Sequence, residues 1–213
     1  IRLNIPTHYI MREFPNIYEF DNDGVGKYIS SDFKDLRPKS AHFSQDKEGY
    51  WYYYDEYGQP GVGAETIDGY DMYFHFGTRR QAKGEFVDVN GKVYYFDKDN
   101  GRKVKDTTFD INGKTYVADQ SGILSIKSQS TERNRYISDS EGNWYYVNGK
   151  GDLLLGAQTI DNVKVYFDKD GKQAKGIVAD DGYYYDKNTG ELVDLGRDKF
   201  VDVDGNRYYV GSD

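Results

Sequence analysis

The 213-residue chain contains no cysteine. That excludes disulfide staples, a thiolate metal site and a cysteine nucleophile. It has only 4 prolines, and they avoid the positions that read as strands, where a missing N–H would break a ladder. No run of 18 apolar residues is present to cross a membrane as a helix, and no secretory signal is visible at Ile1. Because the chain begins without a methionine, it is expected to be a piece of a larger protein. Cationic excess is lacking too. With 28 Lys and Arg against 36 Asp and Glu, the formal net charge is −8, which opposes nucleic acid and anionic membrane as partners. Only 37% of residues are hydrophobic, too few for one large aliphatic core. A chain of this kind must bury many small cores or stay unfolded.

What is abundant is tyrosine (22), glycine (24) and phenylalanine (11). Tyrosine suits surfaces that are apolar on the ring face and wet at the edge. These residues recur with a period of about 20 residues as a turn, an aromatic strand, a second turn and a short closing strand. Clear copies run from Asn90-Gly91-Lys92-Val93-Tyr94-Tyr95-Phe96-Asp97, Asn112-Gly113-Lys114-Thr115-Tyr116-Val117, Asp161-Asn162-Val163-Lys164-Val165-Tyr166-Phe167-Asp168 and Asp204-Gly205-Asn206-Arg207-Tyr208-Tyr209-Val210. Others start near Glu48, Asp68, Glu141 and Asp181. Asn-Gly and Asp-Gly supply the positive φ of two-residue hairpin turns, and the residues between them favour strands. A second period lies above the first. Glu48-Gly49-Tyr50-Trp51 matches Glu141-Gly142-Asn143-Trp144, and Gly63-Ala64-Glu65-Thr66-Ile67-Asp68 matches Gly156-Ala157-Gln158-Thr159-Ile160-Asp161. Gln81-Ala82-Lys83-Gly84 likewise matches Gln173-Ala174-Lys175-Gly176. One hairpin cannot bury its own face, so the expected fold is all-β, a β-solenoid of stacked short hairpins. The expected organisation is an entry segment or degenerate repeat at 1–44, a first block at 45–126, a polar link over 125–134, and a second block at 135–213.

Nothing in the pattern reads as a catalytic centre. The histidines His8, His42 and His75 lack metal spacing, and His75 falls where sister repeats carry Asp97 or Asp168, as a turn variant would. No glycine-flanked serine forms a nucleophile elbow. The many carboxylates are copied with the turns, whereas a catalytic residue is usually singular. Asp-x-Asp-Gly runs supply oxygen ligands, but the full calcium loop is missing. The runs read as turns and no cofactor is expected, with weak structural calcium binding as the alternative.

The element Gln-Ala-Lys-Gly occurs twice, once per block. A sugar ring presents an apolar C–H face and a rim of hydroxyls, which suits an aromatic platform edged by planar polar groups. Gln offers donor and acceptor, and Lys donates. Strand alternation puts Gln81 and Lys83 on one face and Ala82 on the other, and the same holds for Gln173, Lys175 and Ala174. Nearby aromatics are Trp51, Tyr52, Tyr53, Tyr54 and Tyr73 in the first block, and Trp144, Tyr145, Tyr146 and Tyr166 in the second. Which of them face a ligand is left open by alternation alone. A solvated strand face would also account for the Gln-x-Lys pairs.

The run Gly-Ala-x-Thr-Ile-Asp, then Tyr-Phe, then Gly-x-Gln-x-Lys-Gly, present at 156–176, resembles the A-type glucan-binding repeat of glucansucrases, the secreted glycoside hydrolase family 70 enzymes of lactic acid bacteria and oral streptococci. A variant at 63–84 has Arg79-Arg80 before Gln81. Arg135-Tyr136-Ile137 followed by Gly142-Asn143-Trp144-Tyr145-Tyr146 is similar to the adjoining repeat type. The resemblance covers about residues 45–213 and extends to the wider class of cell-wall and choline-binding repeats. It implies a non-catalytic glucan-binding domain, often called domain V, of a sucrose-dependent glucosyltransferase. The implied partners are an α-glucan such as dextran or isomalto-oligosaccharides and the parent's catalytic domain, outside the cell or on the surface of a Gram-positive bacterium. It also implies pockets of Gln81 and Lys83 with Tyr52 or Tyr73, and of Gln173 and Lys175 with Tyr145 or Tyr166. Alternatives of other classes are a structural spacer and a choline or wall-teichoic-acid module. The choline type uses Gly-Trp pairs and Trp cages for cations, and this chain has no Gly-Trp.

Overall fold

The computed structural model describes residues 17–20, 26–30, 40–195, 199–203 and 205–210. Among them the secondary structure is entirely β, in short antiparallel hairpins. In chain order the strands are β1 (Ile17–Phe20), β2 (Gly26–Ser30), β3 (His42–Gln45), β4 (Trp51–Tyr54), β5 (Gly63–Ile67), β6 (Tyr70–Phe74), β7 (Glu85–Val89), β8 (Lys92–Phe96), β9 (Thr107–Ile111) and β10 (Lys114–Ala118). They continue as β11 (Leu124–Lys127), β12 (Arg135–Ser138), β13 (Trp144–Val147), β14 (Asp152–Leu154), β15 (Gly156–Ile160), β16 (Val163–Phe167), β17 (Ile177–Val178), β18 (Tyr184–Tyr185), β19 (Lys199–Val203) and β20 (Asn206–Val210). Seven two-stranded sheets pair neighbours in sequence, and β12-β13-β14-β11-β10-β9 form one six-stranded sheet.

The chain divides into two compact units, Ile1–Gly61 and Val62–Asp213. In the first unit β1 pairs with β2 across the Asp21–Gly24 sequence, with Phe20 opposite Gly26, so the expected entry segment contains a hairpin. The rest of the entry segment up to residue 39, and the start of the last repeat at Asp204, lie outside the described residues. The other hairpin of this unit sets Ser44 opposite Tyr52 and Gln45 opposite Trp51.

In the second unit the two-residue turns follow their sequence signals. Asn90 and Gly91 have φ of 55° and 75°, and Asp161 and Asn162 have φ of 50° and 65°. Positive φ at both central positions gives a turn whose twist matches that of the strands. The far ends of the β7–β8, β9–β10, β15–β16 and β17–β18 hairpins close on an aspartate whose carboxylate accepts backbone N–H groups, and Asn148 does the same after β13. Asp168 Oδ1 accepts from Asp170 N at 2.8 Å and Lys172 N at 2.9 Å. His75 fills this position in its own repeat, where its backbone N–H bonds Arg80 O at 2.9 Å.

After that turn the chain adds a third, single-bridge strand to its own hairpin. Ala82 N donates to Tyr73 O at 2.8 Å, Val104 N to Tyr95 O at 2.9 Å and Ala174 N to Tyr166 O at 2.8 Å. The same strand also reaches back to the preceding hairpin, as Lys103 N donates to Asp71 O at 2.7 Å and Leu192 N to Lys164 O at 2.8 Å. Cores are correspondingly small and local. One gathers Tyr73, Ala82, Val87 and Phe96, another Ile160, Val165 and Phe167, and a third Tyr166, Ala174 and Tyr185. The largest is built around Tyr116, Leu124, Ile126 and Leu155.

The start of the polar link is strand β11, paired with β10 on one side and β14 on the other. Its Leu124 and Ile126 alternate into the core while Ser125 and Lys127 face outward. This strand places β10 and β14, one from each sequence block, in one sheet.

Candidate functional site

The two Gln-x-Lys elements occupy equivalent places. Gln81 bridges Phe74 and Gln173 bridges Phe167, each in the third strand of its repeat. In both, the side chains reach the closing turn of the next repeat. The Gln81 amide donates to Asn100 O at 3.4 Å and Lys83 Nζ to Asp99 O at 2.7 Å. The Gln173 amide donates to Thr189 O at 3.4 Å and Lys175 Nζ to Asn188 O at 3.3 Å. Gln81 is 7% exposed, and its amide nitrogen also lies 3.2 Å from Met72 Sδ.

The receiving turns share a feature. Asp97-Lys98-Asp99-Asn100-Gly101 and Asp186-Lys187-Asn188-Thr189-Gly190 have five residues, closed by Gly101 N to Asp97 O and Gly190 N to Asp186 O, both at 2.8 Å. The Asp119–Gly122 and Asp168–Gly171 turns have four residues and close with the same aspartate-to-glycine bond. The extra residue presents two successive carbonyls to the Gln and Lys side chains. A Cβ on Gly101 or Gly190 would overlap the Gln81 or Gln173 amide, so only glycine lets the turn approach. This turn was a missed sequence signal: one additional residue between Asp and Gly, directly after each Gln-x-Lys repeat.

The aromatic candidates separate by burial. Tyr166 is 1% exposed and Tyr73 is 8% exposed. Tyr166 packs against Tyr185 with ring centroids 5.8 Å apart, and its hydroxyl donates to Asp88 Oδ2 at 2.9 Å. Burial and this carboxylate push its hydroxyl pKa well above the usual tyrosine range. Tyr73 packs against Phe96 at 5.9 Å and edge-on to His75 at 5.6 Å. Both rings are buried together with their strand neighbours on either side, because both faces of β6 and β16 are covered at this point.

Tyr52 and Tyr145 are partly exposed. Their hydroxyls donate to the carboxylates of Asp46 and Asp139, both at 2.8 Å. Tyr52 belongs to the first compact unit, whereas Gln81 and Lys83 belong to the second. Burial first, and then the Asp139 carboxylate, raise the Tyr145 pKa, while Asp139 is held down to about 2 by Asn143 foremost. Tyr145 therefore braces its own turn.

The aromatic brought beside the second Gln-x-Lys is Trp144. Its carbonyl accepts the Gln173 backbone N–H at 2.7 Å, and Lys175 Nζ lies 5.5 Å from its ring centroid. It remains 41% exposed, flanked edge-on by Tyr136 at 6.5 Å. An exposed indole and an ammonium thus meet, and that ammonium and the Gln173 amide both reach the turn at 186–190. No group of three or more metal-ligating side chains occurs among the described residues.

A family model described as the choline-binding repeat matches residues 62–109 and 154–194. Glucosyltransferase-I of Streptococcus downei is 36% identical over 214 residues, covering 93% of this chain and 11% of that protein. Glucosyltransferase-S of Streptococcus mutans is 35% identical over 155 residues, covering 71% of this chain and 9% of that protein. Residues 62–109 and 154–194 thus match choline-binding repeats, and the chain is similar to part of the streptococcal glucosyltransferases. This segment spans about a tenth of the length of those relatives. Among solved structures, alternansucrase in complex with isomaltononaose aligns over 81% of this segment and 14% of that chain, at 30% identity and a TM-score of 0.35.

Proposed function

We propose that this segment is a non-catalytic α-glucan-binding module that holds dextran-like polymer near a parent glucosyltransferase at the cell surface or outside the cell. The observation that carries it is the patch of Trp144, Gln173 and Lys175. A pyranose can lay its C–H face on the exposed indole while the amide and ammonium bond its hydroxyls. The Gln-x-Lys side chains are pre-positioned by the carbonyls of the next turn, which lowers the ordering cost of binding. The first site would use Gln81 and Lys83, latched in the same way. Each site alone would bind with a Kd on the order of 0.1–1 mM, and two on one module would gain from effective concentration along a polymer.

The finer architecture belongs to the same proposal: a β-solenoid whose hairpins stack three repeats apart. Its support is the junction between the β7–β8 tip and the β15–β16 hairpin, where Ala157 N donates to Gly91 O at 2.7 Å and Tyr166 Oη to Asp88 Oδ2 at 2.9 Å. The proposal assigns the turn aspartates to turn closure, as Asp168 Oδ1 accepts two backbone N–H groups, and includes no cofactor. A choline reading has the repeat family in its favour, but the cation beside the Trp144 ring is the chain's own Lys175.

Affinity electrophoresis in gels containing dextran tests the function. The segment should be retarded, and Gln81→Ala combined with Gln173→Ala should remove most of the shift. Absence of retardation by any α-glucan, or release by choline instead, would overturn it.

A further inference from the structure

A cavity of about 180 Å³ lies between the β5–β6 and β7–β8 hairpins; its wall residue Met72 also meets the Gln81 amide, but neither Gln81 nor Lys83 lines it. Its apolar walls include Ala64, Met72, Val89 and Tyr94, and its polar rim includes Asp71 and Lys103. Lys103 occupies the third-strand place that Gln81 and Gln173 hold in their repeats. There it serves a different arrangement. Lys103 Nζ lies 3.1 Å and Lys105 Nζ 3.0 Å from Asp71 Oδ2, and Thr66 Oγ1 donates to Asp71 Oδ1 at 3.0 Å. Lys103 Nζ is also 5.0 Å from the Tyr94 ring centroid.

We propose that this cavity binds one neutral sugar unit, and that Lys103 is the residue that sets its specificity. The proposal deepens the glucan-binding reading and rests on it. Size fits a single ring, since the space equals that of about six water molecules. Charge fits a neutral ligand: the acidic Glu65 and Asp71 stand against the basic Lys103 and Lys105, two against two. Vicinal hydroxyls can donate to the carboxylate and accept from the ammonium, while the ring's C–H face meets the apolar wall. The Lys105 and Lys103 ammoniums hold Asp71 down to about 2, so it stays an acceptor throughout the neutral and mildly acidic range. A quaternary ammonium ligand would find the aromatic face already met by the Lys103 cation, and like charge disfavours a second.

The test is methyl NMR of the full segment labelled at alanine methyls, titrated with isomaltotriose, with tryptophan fluorescence read on the same samples. The Ala64 methyl should shift saturably. Lys103→Met and Asp71→Asn should each weaken that shift's apparent affinity about tenfold and leave the fluorescence titration unchanged. A fluorescence response without movement of Ala64, or an Ala64 shift that survives both substitutions, would overturn the cavity assignment while sparing the glucan reading. Silence of both signals would overturn the glucan reading itself. Choline should leave Ala64 unmoved; a choline-induced shift would refute the specificity assigned to Lys103.

Discussion

Gly190 offers a way to disturb a Gln-x-Lys site without touching either side chain. Its φ of +72° and its approach to the Gln173 amide mean that alanine there meets two costs. The left-handed backbone disfavours any Cβ by about 1 kcal/mol. The Cβ also displaces the amide from Thr189 O, and losing one hydrogen bond costs about 1 kcal/mol more. Gly69 is the matched control in the same unit, with φ of +81° and nothing within 4 Å of the added Cβ. Gly69→Ala should therefore lose about 1 kcal/mol and Gly190→Ala about 2 kcal/mol, read as urea midpoints at unchanged slope. Binding separates them further. Gly190→Ala should weaken the isomaltotriose-induced change in tryptophan fluorescence severalfold, and Gly69→Ala should not alter it. Equal stability losses, or wild-type binding by Gly190→Ala, would refute the claim that the five-residue turn positions the glutamine.

Two further outcomes follow from the packing. Tyr166→Phe keeps the ring but removes the donor to half-buried Asp88, so it should cost about 1–2 kcal/mol and leave isomaltotriose affinity unchanged, while Trp144→Ala should abolish binding at the second site with little loss of stability; calorimetric titration and urea unfolding of both variants check this. Burial raises the pKa values of Asp88 and Asp181. A carboxylate whose folded pKa lies above its unfolded value of about 3.9 gains stability as pH falls through the folded pKa. The urea midpoint should therefore rise as pH falls from 7 toward the unfolded value of about 3.9, and drop below it, where the unfolded chain takes up protons that carboxylates held low in the fold, such as Asp71 at about 2, do not. Replacing both Asp88 and Asp181 with Asn should flatten the rise, and a midpoint that only falls on acidification would contradict it.

The hairpins were legible because their signals are local. Asn90-Gly91 and Asp161-Asn162 need no distant partner to set their φ angles. The side of a strand that meets solvent is settled elsewhere, by residues that fold against it. Tyr166 and Trp144 are both strand aromatics, yet Tyr166 is buried against Ala174 and Tyr185, with Asp88, 78 residues away, on its hydroxyl, while Trp144 stays exposed. Strand β11 was missed because Ser125 and Lys127 read as polar link, although Leu124 and Ile126 already carried the period-two pattern. The Gln-x-Lys pairs stood out by their spacing, but their partners are backbone carbonyls, which carry no residue identity. Only the length of the following turn betrayed them.

The most direct test of the central claim is a crystal structure of the segment soaked with isomaltotriose. The account predicts a glucosyl ring stacked on Trp144 and bonded by Gln173 and Lys175, with the Asn188 and Thr189 carbonyls behind them. Sugar bound only elsewhere, with Trp144, Gln173 and Lys175 left unoccupied, would contradict it.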